Sequence, residues 1–302
     1  MPSTCSMDNR TGGAGTLYVV ATPIGNLGDI TLRALDILKA VDLVAAEDTR
    51  KTARLLSHFG LKAPLISYHE HNEAARTPEL LRRLQQGAAI ALVTNAGTPG
   101  VSDPGYRLVT AAADAGLRVV PIPGVTAAAA ALSASGLATD AFVFAGFLPK
   151  KAGPRLRQIK ALAADTRTVI LYESPQRIVA LVEELITGFG DRRAVLAREM
   201  TKLHEEFIRG RLCEVLAVLK RRAEIKGECT LLVAGRTAAE PSTWDAARED
   251  LRQALQSGPR GLSELAREMA HLHGLPRQAA YAEAMKIKAE LAAFENDSAP
   301  NR

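Results

Sequence analysis

The sequence predicts an α/β protein: two α/β domains followed by a small helical module. Three observations carry that reading. Short β-branched runs alternate with stretches of helical period from residue 17 to residue 234, the pattern of strands joined by crossover helices. The alternation restarts after PIPGVTAAAAALSASGL, so a second series follows the first. Beyond residue 236 the period is lost in RTAAEPSTW and only helical periodicity returns.

In the first series, strands are expected at residues 17–21, 43–46, 64–68, 90–94 and 119–122, with helices at 31–39, 52–58, 73–85 and 105–115. In the second, strands are expected at 142–145, 168–172, 194–198, 206–209 and 230–234, with helices near 154–162, 175–186 and 213–223. The domains are therefore read as 16–123 and 124–236, after a leader at 1–15 that lacks an apolar stretch and reads as disordered. The Pro-, Ser- and Thr-containing stretch 237–258 reads as a linker, 259–291 as the helical module and 292–302 as a tail. Within the module, SELAREMAHLHGLPRQAAYAEAMKIKAEL puts Leu265, Met269 and Leu272 on one face, turns at Gly274, and then places Ala280, Ala284 and Ile287 inward. That is a helix-turn-helix-like pattern.

Composition narrows the functions. Lys and Arg exceed Asp and Glu by five over 302 residues, a mild surplus compatible with a polyanionic partner but unlike a histone-type arm. Residues 240–302 carry eight basic and ten acidic side chains, so the module is net negative and sequence-specific DNA reading is not expected of it. Thirteen aromatics are too few for a base-stacking platform. Cys5, Cys213 and Cys229 are odd in number and far apart, which excludes a disulfide framework or CxxC site and suits a reducing cytoplasm. No apolar run approaches the roughly 20 residues of a membrane helix, so no membrane association is expected.

The chemistry-bearing segments are loops after strands. There is no GxxxxGK[ST], and the glycine-dense residues 12–15 precede the first strand, so neither a Walker loop nor a dinucleotide fingerprint is present. Instead TPIGNLGD, TNAGTPGVSDPG and PIPGVTAAAA follow strand ends, where open α/β sheets bind ligands. Glycines let backbone approach a ligand, and prolines stiffen the turn. The TNAGTPGVSDPG loop has no basic residue, which disfavours a polyphosphate and is compatible with S-adenosylmethionine, a cationic sulfonium with an adenosine and a zwitterionic tail.

Together with these loops, LYVVATPIGNLGDITLRALDIL, VAAEDTRKTARLL, SYHEHNE, NAGTPGVSDPGYRLV, GFLPKK, YESPQRI and AREMTKLHEEFIRG make the chain resemble the tetrapyrrole methylase superfamily. Within it, the resemblance is to members that methylate small-subunit ribosomal RNA. It implies a homodimer of two-domain subunits with S-adenosylmethionine in the cleft between domains. The implied reaction is 2′-O-methylation of the decoding-site cytidine conventionally numbered 1402 in 16S rRNA, on the small ribosomal subunit. Methylation of a tetrapyrrole ring carbon, as in other superfamily members, is the alternative. The resemblance implies cofactor contacts from Asn95, Ala96, Gly97, Thr98 and Pro99, from Thr126, Ala127 and Ala128, from Tyr172 and Glu173, and from Thr201, Glu228 and Thr230. Pro23 and Gly25 would close the other side. The family usually has Asp where this chain has Asn95, which keeps an acceptor oxygen but loses the charge.

Methyl transfer to a hydroxyl needs aim and a proton acceptor. Glu47, Asp48 and Arg50 directly follow an expected strand, as do Glu199 and Lys202. Glu47 or Glu199 would take the proton, Arg50 and Lys202 would hold phosphate or hydroxyl, and Asp48 could equally cap the helix that starts beside it. Lys150, Lys151, Arg155 and Arg157, in the densest basic stretch, are candidate RNA contacts. His69 is another, because His69 and His71 lack a third ligand at fixed spacing and no metal is expected.

Overall fold

The structure, a computed structural model, describes residues 14–236, 244–256 and 261–297. Most of the expected leader with Cys5, parts of the expected linker and the last five residues of the expected tail lie outside the described residues. Two compact units are present, one ending at Ala234 and the other beginning at Gly235.

The first unit contains two five-stranded sheets. Along the chain the elements of the first sheet are β1 (Thr16–Val20), α1 (Leu32–Ala40), β2 (Leu43–Ala46), α2 (Thr49–His58), β3 (Leu65–Ser67), α3 (Glu73–Gln85), β4 (Ala89–Val93), α4 (Tyr106–Asp114) and β5 (Arg118–Ile122). All strand pairs here are parallel, in the order β3-β2-β4-β1-β5. Side chains alternate across β4: Ile90 and Leu92 join Leu80, Leu84 and Leu108 on one face, and Ala91 and Val93 join Leu38 and Leu56 on the other. Thr31 caps α1 by accepting from the Ala34 N–H at 3.1 Å, and Asp48 caps α2 through the Arg50 N–H at 2.9 Å. The neighbouring strands β1 and β4 send their connections in opposite directions, to β2 and to β5, so a crevice opens beyond their carboxyl ends.

Next come α5 (Ala127–Ser135), β6 (Phe142–Phe147), α6 (Ala152–Leu162), β7 (Thr168–Glu173), α7 (Ile178–Phe189), β8 (Arg193–Arg198), β9 (Glu206–Arg211), α8 (Leu212–Lys220) and β10 (Cys229–Val233). The second sheet runs β6-β7-β10-β8-β9, and only its β6/β7 pair is parallel. Helices α6, α7 and α8 cover one face. On the other, Ile170, Val195, Ala197 and Leu232 pack against Ala128, Ala131 and Leu132 of α5 and against Ile24 and Ala96 from the loops of the first sheet. That shared core ties the two sheets into one body. The α5 helix was not expected. Its nine residues are small or apolar all round, so it lacks the two-faced pattern that marks a helix in sequence, and Gly136 at φ +75° ends it.

The second unit holds α9 (Trp244–Gln256), α10 (Leu262–His273) and α11 (Arg277–Asp297). Three expectations are corrected here. Residues 244–256 are helix rather than linker; they bury Ala247 and pack Leu251 against Met269, Ala284 and Ile287, and α11 continues to Asp297 into the expected tail. Leu265, Met269, Ala280, Ala284 and Ile287 point inward as expected, but Leu272 is exposed and His273 takes the buried position, its Nε2 2.8 Å from Asp250 Oδ2. The inward face continues at i+4 from Met269, as a straight helix demands.

Candidate active site

The loops leaving β1 and β4 are stitched together. Thr22 and Gly97 exchange two backbone hydrogen bonds, both 2.9 Å, and Thr22 Oγ1 donates to the Thr94 carbonyl at 3.1 Å. Gly97 has φ +82°, a left-handed conformation that favours glycine. Asn26 N donates to Thr201 Oγ1 at 3.0 Å, which joins the β1 loop to the β8–β9 loop. A Cβ on Gly25 would lie 2.6 Å from Lys202 Cγ, so the close approach needs glycine there. Among the described residues three non-glycines take positive φ, Ser102 (63°), Glu199 (51°) and Thr201 (66°), all in loops around this crevice.

Two adjoining pockets open at these loops. The first, of about 320 Å³, is lined by Ala96, Gly97 and Thr98, by Thr126 and Ala127, by Phe147, Tyr172 and Glu173, and by Asp103, Glu228 and Thr230. Phe144 and Phe147 meet the Tyr172 ring edge-on at centroid distances of 4.9 and 5.6 Å. Tyr172 Oη accepts from the Ala128 N–H at 2.9 Å, an otherwise unpaired donor in the first turn of α5. Among the described residues no Lys or Arg lines this pocket. Its charges are carboxylates, and Glu173 is spoken for, bonded to Arg177 at 2.6 Å and to its neighbour's N–H, Ser174, at 2.7 Å.

Asp103 was not singled out by sequence reasoning. Among the described residues no donor reaches its part-buried carboxyl. Burial, with added repulsion from Glu47 and Glu228, pushes it up to about 7. An apolar, acidic, cation-free pocket with aromatic edges fits a sulfonium-bearing nucleoside and does not fit a phosphate group.

The second pocket, of about 340 Å³, shares Ile24, Ala96 and Glu228 with the first and is lined also by Pro23, Gly25, Asn95, Lys51, Arg54 and Lys202. Asn95 N donates to Glu47 Oε2 at 3.0 Å, so Glu47 ties the β2 end to the β4 loop. Asn95 Oδ1 is buried without a hydrogen-bond partner. Lys202 Nζ reaches Glu199 at 2.7 Å and Glu228 at 3.1 Å. Burial opposes the Lys202 charge, but those two contacts outweigh it and hold its pKa above the ordinary lysine value. Glu199 is held below its usual range, by Lys202 first, and its Oε1 also accepts from the Glu228 N–H at 3.0 Å.

Of the sequence-chosen cofactor residues, Pro23, Gly25, Asn95, Ala96, Gly97, Thr98, Thr126, Ala127, Tyr172, Glu173, Glu228 and Thr230 line one pocket or the other; Pro99, Ala128 and Thr201 line neither. Of the sequence-chosen catalytic residues only Lys202 lines a pocket. Asp48 is the α2 cap and binds Arg50, whose guanidinium is 3.0 Å away and holds the carboxyl down at about 2. Arg50 thus faces its own cap. Lys150, Lys151 and Arg157 are exposed on the β6–α6 segment, whereas Arg155 is bound by Glu184 through two 2.6 Å contacts. His69 is part-buried, its Nδ1 buried and unpartnered, and its N–H donates to Asn72 Oδ1 at 2.8 Å.

This architecture recurs in solved structures. The methyltransferase CobJ superposes with a TM-score of 0.57 at 21% identity over 75% of this chain and 95% of its own. A uroporphyrin-III C-methyltransferase from Thermus thermophilus, complexed with S-adenosyl homocysteine, does so at 0.54 and 20% over 73% of this chain and 97% of its own. Residues 16–216 match the family described as tetrapyrrole (corrin/porphyrin) methylases, and the chain belongs to that family. Among curated relatives, a Synechocystis protein named ribosomal RNA small subunit methyltransferase I is 49% identical over 91% of this chain and 99% of its own. One of the same name from Escherichia coli O157:H7 is 46% identical over 90% and 95% respectively.

Proposed function

We propose that this protein is an S-adenosylmethionine-dependent ribosomal RNA methyltransferase that methylates a ribose 2′-hydroxyl of small-subunit RNA, at the cytidine numbered 1402 of 16S rRNA. The observation that carries the reading is the pairing of two adjoining pockets of opposite character, in a chain nearly half identical to proteins named for small-subunit rRNA methylation.

In the first pocket, backbone at Gly97, Thr98 and Ala127 and the Tyr172 ring would hold the adenosine part, while Asp103 would face the positive charge. S-adenosylmethionine supplies there a methyl group on a cationic sulfur. Transfer breaks the S–CH3 bond and forms O–CH3, and the hydroxyl proton must leave. Asp103 is the acceptor we assign: it lines the pocket, carries no internal hydrogen bond among the described residues, and titrates near neutrality. Glu199 is committed to Lys202, and Glu47 holds the Asn95 loop. The protein's remaining contribution is aim, supplied by loops that the Thr22–Gly97 and Asn26–Thr201 bonds keep in register.

The proposed assembly is a cytoplasmic homodimer, for which exposed Leu32, Tyr106 and Leu203 offer apolar surface. The test is transfer of labelled methyl from S-adenosylmethionine to small ribosomal subunits lacking the modification, with a porphyrinogen assayed alongside. Label in RNA ribose is expected; label in the porphyrinogen alone, or in neither, overturns the reading.

A further inference from the structure

The second pocket is built for a different ligand from the first. Its carboxylate, Glu228, is already bound by Lys202, so those two charges offset each other. What remains is Lys51 and Arg54, which lie three residues apart on one face of α2. Both are exposed, and neither enters a salt bridge among the described residues. Asn95 lines the same pocket, and its buried Oδ1 lacks a donor. A buried acceptor without a partner costs free energy until something donates to it. The complement of this arrangement is a group that carries negative charge at one end and a hydrogen-bond donor at the other.

We propose that the second pocket seats the acceptor nucleotide: the phosphodiester beside the target ribose lies against Lys51 and Arg54, and Asn95 Oδ1 accepts a hydrogen bond from the nucleotide. Ile24, Ala96 and Glu228, common to both pockets, form the threshold across which the ribose hydroxyl meets the methyl donor. Lys51 and Arg54 thus take the phosphate-binding part that Arg50, turned onto Asp48, does not. The inference rests on the RNA methyltransferase reading and adds to it the site, the charge partners and the register of the substrate.

The test compares wild type with the double variant Lys51→Ala/Arg54→Ala and the charge-keeping variant Lys51→Arg/Arg54→Lys. Binding to unmodified small-subunit RNA is titrated against salt, and S-adenosylmethionine affinity is measured by calorimetry. Loss of the contacts to that one phosphodiester should make the slope of log affinity against log salt shallower by about 0.7–0.9 and raise the RNA Kd about tenfold. Donor affinity should be unchanged, which also certifies that the alanine variant is folded, and the charge-keeping variant should recover most RNA affinity. If wild type methylates the RNA while the alanine variant binds it with wild-type affinity and salt slope, the subsite is wrong. If wild type itself neither binds nor methylates the RNA, the underlying functional reading fails.

Discussion

Asp103→Asn removes one ionisable group from the donor pocket at nearly constant volume. Folding raises Asp103 from 3.8 to about 7, through burial first and then the nearby Glu47 and Glu228 charges. The folded state therefore favours the protonated carboxyl, whereas the unfolded chain releases that proton near the ordinary value. Asp103 costs nothing below pH 3.8, destabilises progressively as pH rises, and reaches its full penalty above about 7. At about 1.4 kcal/mol per unit the whole span is at most about 4 kcal/mol, reduced by the solvent that reaches the part-exposed carboxyl, and more than half of it falls between pH 5 and pH 8. Asparagine does not titrate, so the variant should become steadily more stable than wild type across that range, read by urea denaturation of both proteins at matched pH. The kcat/KM for methyl transfer by wild type, which reports the ligand-free protein, should rise through about pH 7 as the carboxylate forms, and the variant should lose transfer at every pH. A stability difference that stays flat with pH would refute the burial argument, and a variant with undiminished transfer would refute the acceptor role.

Four further outcomes are expected. Gly97→Arg places a side chain at φ +82° in the wall of the first pocket; calorimetry should find S-adenosylmethionine binding lost, and donor affinity like wild type would contradict the pocket assignment. Tyr172→Phe leaves the Ala128 N–H without its 2.9 Å acceptor and should cost about 1 kcal/mol in denaturant unfolding. Arg155→Ala breaks the paired contacts to Glu184 and should lower stability by about 1–3 kcal/mol while RNA affinity barely moves, the reverse of Lys150→Ala/Lys151→Ala, which should weaken RNA binding and flatten its salt dependence. Leu92→Ala, at a fully buried site in the central strand of the first sheet, should cost about 2–5 kcal/mol by thermal or chemical unfolding.

Where the physics was local, the sequence was legible. The β2 strand and the α3 helix fall where apolar runs and helical spacing put them, because burial on both faces leaves a strand no polar positions and an amphipathic helix cannot hide its period. The α5 helix escaped notice because AAAAALSAS presents no polar face; only its seat on the second sheet explains it. The mostly antiparallel order of that sheet was equally hidden, since alternating elements do not encode strand direction when a hairpin such as β8–β9 intervenes. In the site, the Gly- and Pro-rich loops announced themselves, but Asp103 lies in Ser-Asp-Pro-Gly, which reads as an ordinary turn until the fold closes a pocket over it. Lys51 and Arg54 resemble any solvated helix face; the loops after β1 and β4, brought beside α2 by the parallel sheet, turn that face into a pocket wall. Conversely, Glu199 was attractive as a proton acceptor while its bond to Lys202 could not be seen, whereas Asp48, read equally as a helix cap, is the cap of α2.

The proposed reaction passes a methyl group from one pocket to a ribose oxygen in the other. Its most direct measurement is ribose-methylation mapping of small-subunit RNA from cells with and without this gene, and from cells carrying the Asp103→Asn form. The account predicts a 2′-O-methyl mark at cytidine 1402 that is present only with the wild-type gene. A mark that persists without the gene, or one that the gene places on a base instead of a sugar, would contradict it.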